Sequence, residues 1–275
     1  MDAETWLLWL LADSQLPTGG FVASGGLEAA LQAGLVSENA PDGASGSLIG
    51  FIRGSSHSQA HFALPFCSRV YEIASERLEA MASSGDDEGN GTAALILADF
   101  IAADSHHHAM LSSNRVAMRA SAAQGGGLLS LFNRGYAQAA TMEDRRGRVC
   151  ASVGKELQRL ARLGEAKTHW PTVFGFVCAA LGVSLVSTQQ LYLFQFVRQI
   201  FSAAIRLNLV GPLRAQTLQC DMHPHIRHLL AECAGKRVAF SSLEDMFGES
   251  AVYTEPVLEL YQGMHDRLYS RIFNS

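Results

Sequence analysis

The sequence predicts an all-α protein, a single globular bundle of about ten helices spanning residues 1–275. Three observations carry that expectation. Apolar residues recur at the three-and-four spacing of a helix along most of the chain. Strand-like alternation is confined to the short stretch Lys236–Phe240, and no fixed-period repeat is present. Glycine, proline and capping residues punctuate the periodic segments.

The first helix is marked by Trp6, Leu7, Leu10 and Leu11, and Ala12–Pro17 then breaks the pattern. The stretch Leu11–Glu28 packs Gly19, Gly20, Gly25 and Gly26 with Pro17 between two apolar segments. A glycine inside a helix costs about 1 kcal/mol relative to alanine, so Gly25 and Gly26 point to a close backbone approach. Ser24 is the expected N-cap of a short helix through Leu35, with Glu28 in its first turn, where the helix dipole favours a carboxylate. Glu28 is thus either a helix-start residue or a partner contact.

Residues 36–46 read as a loop, followed by a helix from Ser47 to about Met81 bent near Pro65. Residues 83–92, SSGDDEGNGT, have no periodicity and read as a mobile acidic loop. Ala93–Gln124 reads as one long helix stopped by Gly125, Gly126 and Gly127, with another from Leu128 to Ala140. Arg145, Arg146 and Arg148 read as a solvated connector before an amphipathic Ser152–Leu163. Pro171–Gly182 is apolar nearly all round and reads as a buried central helix opened by proline.

Ser187 and Gln190 suggest a capping box opening Thr188–Leu209, whose apolar positions include Leu193, Val197, Ile200 and Ala204. Gln195, Arg198, Gln199, Ser202 and Arg206 form its polar stripe. Gly211-Pro212 ends it. Ala215–Cys233 is less regular and rich in histidine, and Ser241 with Glu244 suggests a further capping box. Thr254-Glu255-Pro256 opens the last helix, with Val257, Leu260, Tyr261, Met264 and Leu268 on one side.

Composition narrows the function. At 48% apolar and 17% charged, the 275-residue chain buries a large core and is not disordered. A net charge of −5 supplies no basic field for nucleic acid or anionic membrane. The five cysteines are odd in number, dispersed and without CxxC spacing, which argues against a disulfide framework or zinc ribbon and suits a reducing compartment. Cys178 reads as a small core residue. The apolar WLLWLLA segment follows acidic residues rather than the basic flank of a signal peptide. The longest apolar run, Val173–Val186, falls short of the roughly 20 residues that span a bilayer. A soluble cytoplasmic protein is expected.

No chemical signature stands out. The glycine pairs lack the GK[ST], the GxGxxG and the preceding strand of a phosphate loop. No GxSxG, HExxH or paired-carboxylate motif occurs, so a binding protein without catalytic residues or cofactor is favoured over an enzyme. His106, His107 and His108 form one histidine run, and Cys220, His223, His225 and His228 cluster around Pro224. Imidazole and thiolate suit nickel, copper or zinc. Consecutive helical histidines diverge, however, and no carboxylate or CxxC fixes the second cluster. His223, His225 and His228 stand as weak metal candidates for an alternative function, a nickel-binding metallochaperone.

Several ordered segments resemble the UreF family of urease accessory proteins. They are LLADSQLPTGGFVASGGLEAALQAG at the start, then Asn114–Gly125, Thr168–Ser184, Tyr192–Gln216 and Met264–Ser275. Val36 to about Ala60, the acidic loop and His225–Glu255 match weakly. The resemblance implies an all-α homodimer with no catalytic activity of its own. It implies that the chain joins UreD (also called UreH) and the GTPase UreG on the urease apoenzyme, promoting GTP-dependent nickel insertion. The family has been likened to a GTPase activator, and a gate that enforces fidelity describes it equally. Carried onto this chain, the resemblance makes Gly25, Gly26, Glu28, Arg198 and Arg206 candidates for the UreG face or the dimer seam. It makes His265, Arg267, Arg271 and Phe273 candidates for the UreD/UreH face. An alternative role for Arg198 and Arg206 is to cap carbonyls or pair with carboxylates. One departure is that Ala117-Met118 precede Arg119, where related sequences commonly carry a glutamate.

Overall fold

The computed structural model describes residues 1–37, 46–83, 89–139, 142–238 and 251–275. Among them the chain is helical, without a strand, and no helix is long and apolar enough to cross a membrane. The expected loop over 83–92 is shorter than read: Ser83 ends one helix and Asn90–Thr92 begin the next, while residues 84–88, like the Ser241–Glu244 capping box, lie outside the described residues. Of the alternating stretch, residues 236–238 are described and form no strand.

Helix α8 (Trp170–Leu181) is the central strut, buried from Pro171 to Ala180. It has no polar face to present to water, so the chain surrounds it. Helix α4 (Leu64–Ser83) crosses it where Gly175 leaves no room for a side chain: a Cβ there would lie 2.2 Å from the Cys67 carbonyl oxygen. Helices α5 (Asn90–Met110), α6 (Arg115–Arg134) and α7 (Arg145–Leu163) complete this core, with Phe176 edge-on to Phe100 and Phe132. Burying each such ring contributes about 2–3 kcal/mol. Cys178 is buried within this core, as expected.

A second apolar cluster joins α2 (Leu27–Gln32), α3 (Leu48–Phe62), the C-terminal half of α9 (Leu185–Arg206) and α10 (Pro212–Asp221). Phe273, two residues from the end of the described chain, belongs to it. Helices α1 (Ala3–Ala12), α11 (His223–Cys233) and α12 (Pro256–Gly263) pack around these cores.

Several expected boundaries move: α7 begins at Arg145 rather than Ser152 and α6 ends at Arg134 rather than Ala140, and four other shifts have a local reason. The α3–α4 break falls at Ala63, and Pro65 sits in the first turn of α4, where its missing N–H is harmless. The long alanine-rich helix divides after Met110, because Asn114 caps a new one through the Ala117 amide. Gly125, Gly126 and Gly127 do not stop α6; they lie inside it, at two close backbone approaches. Helix α9 starts at Leu185 rather than Thr188, with the Ser184 hydroxyl accepting from the Ser187 amide. Arg146 is not a free connector residue: in the first turn of α7 it donates to the Ala179 carbonyl at the end of α8.

Candidate functional site

The glycine-rich segment and the C-terminus of the chain meet. Ser24 is not the N-cap of α2. That place is taken by Gly26 in the left-handed region, at φ 87°, while the Ser24 hydroxyl and amide both reach the Ser275 carbonyl, at 2.5 and 2.7 Å. The Asn274 amide donates to the Val22 carbonyl at 2.8 Å. Residues 22–24 and 274–275 are thus laced together by backbone hydrogen bonds.

Glu28 is the centre of the joint. It lies in the first turn of α2, is 1% exposed, and accepts from the Ile272 amide at 2.7 Å and the Phe273 amide at 3.1 Å. His265 Nε2 lies 3.0 Å from the same carboxylate and is itself fully buried. A buried carboxylate without such partners would be costly, so these contacts explain why the residue is tolerated there. Gly25 and Gly26 supply the space. A Cβ on Gly26 would lie 2.9 Å from Gln262 of α12, and one on Gly25 would meet Ile200 of α9. The close backbone approach read in the sequence is made by this same chain.

Arg119 clamps the outside of the joint. Its guanidinium donates to both oxygens of Asp266, at 2.9 and 2.8 Å, and to the Asn274 carbonyl at 3.1 Å. Arg271 donates to the same Asp266 at 3.2 Å. Hydrogen bonds from Arg119 hold the Asp266 carboxyl below the usual carboxylate range.

The polar stripe of α9 faces the N-terminal loop. Arg198 donates to the carbonyls of Ala12 and Asp13, and Gln195 to that of Leu11, so together they cap the C-terminus of α1. Arg206 donates to the Ser202 carbonyl, and its guanidinium lies 3.8 Å from the Phe21 ring centroid and 4.3 Å from that of Phe273. Phe21 is exposed, Phe273 buried. Asp13, Thr18, Gln124, Gln195, Arg198 and Gln199 line a cleft of about 400 Å³ between loop and stripe.

The C-terminal segment is pinned by its backbone while many of its side chains face outward. Tyr269 and Ile272, with Val257, Leu260 and Met264 of α12 and its end, are exposed apolar residues. Arg267 and Arg271 are exposed beside them. The predicted UreD/UreH-face residues therefore divide: His265 and Phe273 point inward, Arg267 and Arg271 lie at the surface.

The weak metal candidates do not form one set. His225 Nε2 pairs with the Ser56 hydroxyl at 3.2 Å, whereas His223 and His228 are exposed. Among the described residues, His57, His61 and Glu232 are a group whose ligand atoms converge, within 4.8 Å. Its signal in the sequence is the HxxxH spacing of His57 and His61 on α3, which places both imidazoles on one helix face.

In the other run, His107 is buried between Phe62, Phe66 and His169, and His108 Nδ1 lies 3.0 Å from His169 Nε2. Burial pushes His107 well below the usual imidazole range, and His169 to about 4. Asp104, which carried no sequence signal, fixes this region. It accepts from the amides of Lys167, Thr168 and His169 and from the Thr172 hydroxyl, all at 2.7–2.8 Å.

The comparisons with known proteins agree with this architecture. The UreF family model matches residues 44–223. Urease accessory protein F of Oryza sativa subsp. indica is 33% identical, over 98% of this chain and 84% of its own length. The Arabidopsis thaliana protein of the same name is 31% identical, over 98% of this chain and 92% of its own. Urease accessory protein 6 of Cryptococcus neoformans is 28% identical, over 99% and 97%. With helices throughout its described length, a glycine-rich segment laced to the C-terminal residues, and family similarity along nearly all of its length, this chain belongs to the UreF family of urease accessory proteins.

Proposed function

We propose that this protein is a non-catalytic adaptor of urease maturation, which joins UreD/UreH and the GTPase UreG on apo-urease and regulates UreG during nickel insertion. It acts in the cytoplasm as one all-α domain and as a homodimer. The observation that carries this reading is the similarity to urease accessory proteins over 98% of the chain. An adaptor needs rigid faces, because binding to a preorganised surface avoids the cost of ordering it. The lacing of the C-terminal segment to residues 22–28 supports that requirement.

In this reading the exposed side of the C-terminal segment meets UreD/UreH. Arg267 and Arg271 make the contact, and His265 and Phe273 hold it in shape from inside. Gly25, Gly26, Glu28, Arg198 and Arg206 brace a second, adjoining partner surface, the UreG face or dimer seam, on which the exposed Phe21 stands over Arg206.

The test is co-elution on gel filtration with purified UreG and UreD/UreH, followed by reconstitution of urease activation with and without this chain. Complex formation and dependence of activation on the chain are expected. Failure of both partners to co-elute across salt and nucleotide conditions overturns the adaptor reading, and intrinsic GTP hydrolysis by this chain alone overturns its non-catalytic part.

A further inference from the structure

Away from the joint, α3 and α11 bring together a constellation that partner docking leaves unexplained. His57 and His61 are four residues apart on α3, so their side chains share one face of the helix. Their rings stack with centroids 4.3 Å apart. Glu232, in the last turn of α11, places a carboxylate oxygen 3.3 Å from His61 Nε2. The His61 side chain is only 8% exposed, yet its Nε2 has no hydrogen-bond partner. A buried imidazole nitrogen aimed at a carboxylate, without a hydrogen bond, is a costly arrangement for structure alone. Glu232 is 41% exposed and keeps the group open to solvent on one side.

On the far side of His61, Nδ1 receives a hydrogen bond from the Lys236 ammonium at 2.9 Å. His57 Nδ1 pairs with the Thr254 hydroxyl at 2.8 Å, an outer contact that fixes the ring as the partners of metal-binding histidines do. We propose that His57, His61 and Glu232 form a site for a divalent transition-metal ion of the zinc–nickel class, gated by the ammonium of Lys236. Two imidazoles and one carboxylate suit such borderline ions and leave a position for water. Magnesium and calcium want oxygen ligands and are selected against. Lys236 opposes binding in two ways. Its charge repels a dication, and its hydrogen bond to Nδ1 leaves the ring proton on Nε2, the nitrogen facing Glu232. The ion therefore enters as Lys236 withdraws and the ring proton moves from Nε2 to the vacated Nδ1, which leaves Nε2 free as a ligand.

The test is calorimetric titration of the full-length protein with zinc chloride, nickel chloride and magnesium chloride, without any partner protein. Zinc or nickel is expected to bind at one equivalent per chain in this site, and magnesium not to bind. His61→Ala and Glu232→Gln each weaken that binding at least tenfold, while His223→Ala leaves it unchanged. Lys236→Met strengthens it severalfold, an effect that misfolding cannot produce. Wild-type affinity in both His61→Ala and Glu232→Gln, loss in His223→Ala equal to that in His61→Ala, or no gain in Lys236→Met overturns the proposal.

Discussion

His265 Nε2 lies 3.0 Å from the carboxylate of Glu28, two fully buried side chains from opposite ends of the chain. With the Ile272 and Phe273 amides on the same carboxylate, the contact ties the C-terminal segment to the first turn of α2. Glu28→Gln keeps the volume but turns an amide NH2 group toward one or more of these donors. Breaking one partner of such a buried set costs about 3 kcal/mol. The expected outcome is a lower urea midpoint and faster proteolytic trimming of the last residues. An unchanged midpoint together with unchanged trimming would refute the role given to Glu28.

The glycine triplet in α6 gives a prediction of opposite signs at adjacent positions. A Cβ on Gly125 would lie 2.1 Å from the Thr168 carbonyl oxygen, and neither backbone can yield. On Gly126 the nearest atom is the Thr168 hydroxyl at 3.8 Å, an ordinary contact. Gly125→Ala is expected to destabilise by several kcal/mol, on the order of severe overpacking. Gly126→Ala is expected to stabilise by about 0.5–1 kcal/mol, because alanine restricts the unfolded chain and favours the helix. Thermal unfolding of the two variants checks both signs.

That triplet also shows why sequence reading placed helices better than it placed their ends. Apolar patterning is local, so α9 was legible from its one apolar side and α8 from being apolar nearly all round. Gly125 is required by the distant backbone of Thr168, so the sequence alone reads it as a stop signal. The joint divides in the same way. Glu28 and Arg198 stood out by type and position, but their partners lie 237 and 186 residues away in sequence, at His265 and Ala12. Asp104 and Asp266 had no local signal, since an acidic residue in a helix ordinarily faces water. Their importance comes from the donors that tertiary packing delivers.

Asp104 is 1% exposed and uses both oxygens as acceptors, Oδ2 for the Lys167 and Thr168 amides and Oδ1 for the His169 amide and Thr172 hydroxyl. This holds Thr168 at a positive φ of 54° and sets the entry of α8. Asp104→Asn must turn NH2 toward backbone donors whichever way it flips. A loss of about 2–4 kcal/mol is expected, since hydrogen bonds to a charged acceptor contribute about 1.5–3 kcal/mol each and an unsatisfied buried donor adds to the cost. Denaturant unfolding of the variant measures it. A change below about 0.5 kcal/mol would show that Asp104 does not organise this turn.

His107 and His169 predict how stability depends on pH. Their rings stack at 5.0 Å in the interior, and burial holds both in the neutral form, with His169 at about 4. In the unfolded chain each titrates near 6.5. The folded state therefore binds fewer protons than the unfolded state between about pH 6.5 and 4, and stability rises with pH across that window. The contribution is complete above about 6.5 and is lost as the pH falls toward 4. Between pH 7 and 5 His169 is expected to remove about 2 kcal/mol, given 1.36 kcal/mol per pKa unit, and His107 acts in the same direction. The part of the window above about pH 5 lies above the ordinary range of the carboxylates, so measurements from pH 5 upward read mainly histidine. His107→Leu, which fits the apolar contacts with Phe62 and Phe66, is expected to flatten the pH dependence by one proton without reversing it. Unfolding midpoints measured from pH 5 to 8 decide the matter, and a profile with the same slope in variant and wild type would show that His107 does not titrate on unfolding.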